Sequence, residues 1–163
     1  AGIRKAKKEP CANEATSRMR VPVDVFIIWE DGKRKIKISS IHFVANKPDY
    51  RNLEPEKVRQ NMQTLDRLAE ILKKFSGYHI EIEGYAVREY WRWPKRAEWE
   101  QENELLPLSK DRAEAIKEAL VERGVDGNRI STVGYGGEDP VVPHGDLTNR
   151  WKNRRVEFVL TRK

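Results

Sequence analysis

The segment "LSKDRAEAIKEAL", residues 108–120, has the pattern of an amphipathic helix. Its apolar residues recur at three- and four-residue spacing, which places them on one face of a helix. The residues on this face are Ala113, Ile116, Ala119 and Leu120. Ser109 is predicted to cap the N-terminus, so Arg112 falls in the first turn, where unpaired backbone amides repel a cation. The sequence therefore raises the question of which negative group offsets this repulsion.

A longer helix is predicted upstream of this segment. Pro55 suits the first helical position, and Gly77 is typical of a helix end. Between them, apolar residues again recur at helical spacing. They are Val58, Met62, Leu65, Leu68, Ala69, Leu72 and Phe75. The following segment "YHIEIEGY", residues 78–85, alternates as a half-buried strand does.

The remaining elements are predicted as strands. Residues 21–40 alternate on both sides of an Asp31-Gly32 turn, which is typical of a β-hairpin. Residues 41–45, "IHFVA", fit either a new strand or a bulged continuation of the hairpin. Residues 129–135 and 154–162 are predicted as the last two strands. Two helices packed on one face of a mixed sheet, an α+β fold, is the simplest arrangement of these elements.

Composition excludes several classes of function. The chain has 163 residues and a net charge of +6, but six basic and only two acidic residues fall in residues 1–20. The basic charge therefore belongs mainly to a predicted disordered tail, and we expect no nucleic-acid partner. No apolar run is long enough to span a membrane. The single Cys11 excludes an intramolecular disulfide, and the scattered histidines predict no metal site or cofactor.

The "LSxxRA" and "NRRVE" elements and the order of the segments resemble the OmpA-like peptidoglycan-binding domain of bacterial envelope proteins. The resemblance covers residues 41–161. It implies a β-α-β-α-β-β fold and a periplasmic location in the cell envelope, and the N-terminal hairpin lies outside it. The chain is thus predicted to have three regions, which are a tail over residues 1–20, the hairpin over residues 21–40 and the domain over residues 41–163.

The resemblance further implies a ligand and a cleft. In the family, the ligand is the peptide stem of the cell wall, held at its diamino acid. Arg112 matches the arginine that binds a carboxylate, which would answer the question of the offsetting charge. Arg112 paired with a local acid, Glu104 or Asp111, is the structural alternative. The implied ligand-binding residues are Tyr85, Ala86, Val87, Arg112, Asn153 and Arg155.

One departure from the family pattern bears on affinity. The turn that binds the amino group has Tyr85 and Val87 where the family has His and Asp. Loss of a hydrogen bond to a charged group costs about 1.5–3 kcal/mol. Three explanations are open. The ligand carries a different diamino acid, another acidic residue of this chain replaces the family's Asp, or the site no longer binds the wall. The candidate substitutes are Glu89, Glu102 and Glu104.

Two functions are consistent with these observations. The first is non-covalent, non-enzymatic binding to the peptidoglycan stem through an altered and weakened site. The alternative is a degenerate domain with a structural role or a role in binding other envelope proteins. The segment "REYWRWPKRAEWE", residues 88–100, is open to three interpretations, which are a packed lid, a surface that contacts the wall or a protein, and a nucleic-acid contact.

Overall fold

The computed structural model describes residues 25–162, so the predictions for the basic tail and Cys11 lie outside the described range. Within it, strands and helices form an α+β fold. They are β1 (Phe26–Glu30), β2 (Lys33–Lys37), α1 (Pro55–Lys74), β3 (Tyr78–Tyr85), α2 (Pro94–Glu100), α3 (Leu106–Glu122), β4 (Ile130–Gly136) and β5 (Val156–Arg162). The predicted fold class and its N-terminal hairpin are confirmed. No helix in this range is long and apolar enough to cross a bilayer.

The five strands form one sheet in the order β1-β2-β5-β3-β4. β3 and β4 run parallel, and the other neighbouring strands are antiparallel. Phe158 of β5 lies opposite Ile36 of β2 on one side and Ile82 of β3 on the other. All three side chains are buried on the same face of the sheet. The hairpin therefore continues the sheet, while the domain boundary at residue 40 stays a prediction.

Both main helices cover this face. Leu65, Leu68 and Leu72 of α1 belong to the same hydrophobic cluster as the buried strand residues. Ile116 and Leu120 of α3 complete the cluster from the other helix. The apolar spacing thus identified the inward face of each helix correctly.

Glycine residues in the sheet allow α3 to approach closely. A Cβ atom built on Gly84 would lie 2.0 Å from the carbonyl oxygen of Ser109. A Cβ atom on Gly134 of β4 would lie 2.5 Å from the backbone nitrogen of Lys110. Any larger residue at either position would push the helix away from the sheet. This close approach places Arg112 over the end of β3.

The helix containing Arg112 begins earlier than predicted. α2 starts at Pro94 and continues into α3 through a π-helical turn over Gln101–Leu105. Ser109 is therefore inside a helix and is not its N-cap, so that prediction was wrong. Its buried hydroxyl accepts a hydrogen bond from the Gly136 amide at 2.9 Å instead. We attribute the wide turn to Pro107, whose ring would otherwise press on a preceding carbonyl.

Residues 41–45 form no strand, although Ile41 and Phe43 are buried. The buried side chain of Asn61 on α1 supplies the hydrogen bonds that a sheet would have supplied. Its Oδ1 accepts from the His42 amide at 2.8 Å, and its Nδ2 donates to the carbonyl oxygens of His42 and Tyr50. β2 occupies the place beside β5 that a strand at residues 41–45 would have taken.

Candidate functional site

A cleft of about 450 Å³ lies where β3 ends beside α3. Residues from the loop before α1, from the loop after β3, from the α2–α3 helix, and from the segment before β5 line it. They are Asn46, Ala86, Val87, Glu89, Tyr90, Glu100, Glu104, Leu105, Leu108, Arg112 and Arg154. The cleft thus combines an apolar wall with two guanidinium groups and three carboxylates.

Arg112 forms the base of the cleft and is only 2% exposed. Its Nε donates a hydrogen bond to the carbonyl oxygen of Lys47 at 3.1 Å, and its Nη2 donates to that of Val44 at 3.4 Å. The guanidinium carbon lies 5.2 Å from the centroid of the Phe43 ring. These contacts fix the guanidinium and also hold the 43–47 loop against the helix.

The charge of Arg112 is not neutralised by the described part of the protein. No carboxylate in residues 25–162 forms a salt bridge with it, so the predicted alternative of pairing with Glu104 or Asp111 does not occur. Burial, and to a lesser extent the nearby positive charge of Arg154, lower the pKa of Arg112 to about 10. An anion in the cleft would relieve both effects.

The helix terminus contributes less than the sequence predicted. Because the helix is continuous from residue 94 through the π turn, Arg112 does not lie beside the free amides of a helix start. The prediction that such amides share the anion with Arg112 was wrong. The positive potential comes from the side chains of Arg112 and Arg154 instead.

The three carboxylates of the cleft differ in their surroundings. Glu100 is buried, and its two oxygens accept hydrogen bonds from the Glu89 and Tyr90 amides at 3.0 and 3.1 Å. Glu89 lies 3.2 Å from Nη2 of Arg150. Glu104 is exposed and forms no ion pair among the described residues. Of the acids named from the sequence, Glu89 and Glu104 line the cleft, whereas Glu102 is absent from its lining.

The turn after β3 is divided between two faces of the sheet. Ala86 and Val87 line the cleft, as predicted. Tyr85 instead lies on the helix-free face, because β3 side chains alternate and Gly84 faces α3. Its ring lies 3.9 Å below the guanidinium carbon of Arg155, and its hydroxyl donates to Oε1 of buried Glu83 at 3.2 Å. Tyr85 therefore lies away from the predicted cleft.

The segment before β5 is divided in the same way. Arg154 lines the cleft, whereas Arg155 lies on the other face with Glu157 at 2.8 Å. Asn153 is buried and holds the preceding loop, accepting from the amides of Val141 and Val142. The structure thus does not bring Asn153 and Arg155 into the cleft. Sequence analysis missed Arg154, although the period-two pattern of β5 could have identified it, since Val156 faces the helices.

The tryptophan-rich segment borders the cleft without filling it. Tyr90 is part of the lining, while Trp91, Trp93 and Trp99 are all exposed. The stacked guanidinium of Arg96 lies 4.0 Å from the Tyr90 ring centroid. The cleft remains open beside Arg112, so the segment is not a closed lid.

Comparison with known proteins identifies relatives of this chain. It is 41% identical over 101 residues to a peptidoglycan-associated lipoprotein of Rhizobium meliloti, covering 60% of this chain and 49% of the relative. It is 34% identical over 129 residues to the peptidoglycan-associated lipoprotein of Brucella melitensis, covering 75% of this chain and 68% of the relative. A peptidoglycan-binding protein of Mycobacterium tuberculosis, ArfA, is 35% identical over 98 residues, which are 60% of this chain and 27% of ArfA. The chain spans half or less of the first of these relatives and about a quarter of ArfA.

Solved structures agree on the fold. The periplasmic domain of Helicobacter pylori MotB superposes with a TM-score of 0.63 at 23% identity, covering 85% of this chain and 80% of that domain. The family model for the OmpA family matches residues 57–154, which include most of α1 and of the cleft lining, with Arg112 and Arg154. The chain belongs to the OmpA family.

Proposed function

We propose that this domain binds peptidoglycan non-covalently, through the cleft at Arg112, in the bacterial periplasm. The main support for this proposal is the buried guanidinium of Arg112, which borders an open cleft. Backbone carbonyls hold it in place, and it lacks a carboxylate partner within residues 25–162. Relatives named as peptidoglycan-associated or peptidoglycan-binding support the same ligand. The wall stem carries free carboxylates, which match this positive charge.

In this proposal two arginines bind the carboxylate of the stem peptide and one glutamate binds its ammonium group. A stem carboxylate binds Arg112 and Arg154 from the open side of the cleft. The ammonium of the diamino acid binds Glu104, because Val87 stands where the family has an acid and cannot accept a hydrogen bond. An exposed glutamate binds an ammonium more weakly than a fixed, buried one. We therefore expect an affinity below that of a domain with the family's aspartate.

The alternative function is a structural or protein-binding role without a wall ligand, involving other envelope proteins. One observation favours it, since Arg112 already uses two nitrogens to hold the carbonyl oxygens of Val44 and Lys47. An arginine with this packing role would be retained after binding was lost. Neither function involves bond cleavage, a cofactor or nucleic acid.

Co-sedimentation with purified sacculi tests the proposal. The informative variant is Arg154→Gln, because it removes a cleft charge without removing the buried Arg112 contacts. We expect its affinity to fall about tenfold to a hundredfold, as for loss of a charged hydrogen bond. Arg67→Gln is the matched control, since Arg67 is exposed on α1 and pairs only with Glu70 among the described residues. Equal pelleting of both variants, or no pelleting of the native chain, would reject the proposed cleft and favour the alternative.

A further inference from the structure

Three exposed tryptophans lie in the two segments beside the cleft, which are the segment after β3 and the segment before β5. Trp93 is 58% exposed, Trp151 50% and Trp91 40%. Large aromatic side chains are usually well covered in soluble domains, and groups of exposed ones mark binding surfaces. We call Trp93 and Trp151 the tryptophan surface. The proposed peptide cleft does not explain its presence.

Two contacts attach this surface to the cleft. The Trp93 amide donates a hydrogen bond to the Tyr90 carbonyl at 3.0 Å, which closes a four-residue turn that begins at the cleft wall. Such a turn brings its first and last Cα atoms within about 7 Å of each other. Trp151 follows Arg150, whose Nη2 lies 3.2 Å from the carboxylate of Glu89, another lining residue. Trp93 and Trp151 therefore lie in segments that are attached to lining residues of the cleft.

The two segments that carry the tryptophan surface are held in place by contacts within the protein. Buried Glu100 holds the Glu89 and Tyr90 amides from below. Trp91 packs against the opposite loop at Gly145, where an added Cβ would lie 2.7 Å from the ring. The two segments that carry the tryptophan surface are thus joined to each other. Binding at segments whose backbone is already ordered costs little backbone entropy.

We propose that the tryptophan surface binds the sugar chain of the wall, beside the peptide held in the cleft. This inference rests on the proposed function, because the stem is covalently attached to that chain and brings its amino sugars to the mouth. The C–H faces of pyranose rings pack on indole rings, and Arg92 and Lys152 supply donors for sugar oxygens. Residues 88–100 carry four basic and three acidic residues, a balance that disfavours a phosphate backbone.

The test compares two ligands that differ only in the sugar. Calorimetry measures the dissociation constant of a free stem peptide and of the same peptide carrying its disaccharide. We expect the disaccharide form to bind about tenfold more tightly to the native chain. Trp93→Ala and Trp151→Ala should remove this difference while leaving the affinity for the free peptide unchanged. Both side chains are exposed, and thermal unfolding checks that each variant folds as the native chain does.

Trp29→Ala is the matched control. Trp29 is 71% exposed on β1. Across the sheet it lies in register with Ile80, near the start of β3, whereas the cleft lies at the end of β3. The Trp29→Ala variant should bind the disaccharide peptide more tightly than the free peptide by the same factor as the native chain. Equal affinities of the native chain for both ligands, or tryptophan variants that keep the difference, would overturn the sugar surface and leave the peptide cleft standing. Absence of binding to both ligands would overturn the proposed function itself.

Discussion

The Nε atom of Arg112 donates a hydrogen bond to the carbonyl oxygen of Lys47 across 3.1 Å. This contact joins α3 to a loop that no strand secures, since residues 41–45 lie outside the sheet. Arg112 therefore has a packing role in addition to the proposed binding role. Any substitution of Arg112 affects both stability and binding, and the two effects have to be measured separately.

Replacement of Arg112 by alanine should destabilise the fold. The carbonyl oxygens of Val44 and Lys47 lose a charged donor, so we expect the free energy of unfolding to fall by about 3 kcal/mol. Urea denaturation measures the loss. Arg154→Gln, which changes the other guanidinium of the cleft, should have a much smaller effect. Equal stability of Arg112→Ala and the native chain would show that the loop does not depend on this side chain.

Replacement of Val87 by aspartate should restore the missing half of the ligand site. Val87 lines the cleft with Arg112, so the new carboxylate can accept hydrogen bonds from an ammonium. We expect the affinity for a diamino-acid peptide to rise about tenfold to a hundredfold. Titration calorimetry measures the gain, and Val87→Asn serves as a control of similar size without the charge. An unchanged affinity would mean that the amino group lies elsewhere in the bound state.

Replacement of Glu83 by glutamine should make stability less sensitive to pH. Burial raises the pKa of Glu83 above its ordinary value of 4.5, despite Lys33 nearby. Between these two pKa values the folded state binds more protons than the unfolded state, so the native chain loses stability as the pH rises. The uncharged glutamine avoids this loss while still accepting from the Tyr85 hydroxyl.

We therefore expect Glu83→Gln to gain stability relative to the native chain as the pH rises above about 4.5. Thermal unfolding at several pH values measures the difference in melting temperature. Glu122→Gln, at an exposed position on α3, is the control and should show a smaller change. A difference that stays constant with pH would contradict the assigned cause.

Replacement of Gly84 by alanine should separate α3 from the sheet. The new Cβ would overlap the carbonyl oxygen of Ser109, which is backbone and cannot rotate away. We expect a loss of about 1–3 kcal/mol or more in unfolding free energy, together with weaker sacculus binding, because Arg112 moves with the helix. Gly77→Ala is the control, since an added Cβ there meets no atom within 4 Å. A normal melting temperature for Gly84→Ala would contradict the observed close approach.

Local patterns predicted the parts of the fold that depend on local chemistry. The apolar spacing from Val58 to Phe75 identified α1, because burial of one face dominates its energetics. Residues 94–107 showed no period, since α2 is short and buries mainly Ala97 and Glu100 on its inner side. The loop at residues 41–45 has the residue types of a strand, but the distant Asn61 supplies its hydrogen bonds.

Part of the candidate site was predicted correctly from the sequence. Family resemblance located Arg112, Ala86 and Val87, and all three line the cleft. It gave Arg155 in place of Arg154, although the alternation of β5 places Arg154 on the same face as Val156, which packs against the core. Their binding roles stay predictions until the variants above are measured.

The position of β5 has a consequence for the synthesis of the chain. β5 is the last strand along the described sequence, yet it lies between β2 and β3 in the sheet. Lys35 of β2 donates a hydrogen bond to Glu157 of β5, and the two residues are 122 positions apart in the sequence. The hairpin and β3 therefore leave the ribosome long before β5, the strand that joins them. Until then each presents an unpaired edge that can aggregate. A nascent chain of this topology is therefore most exposed to aggregation in the interval before β5 has been made.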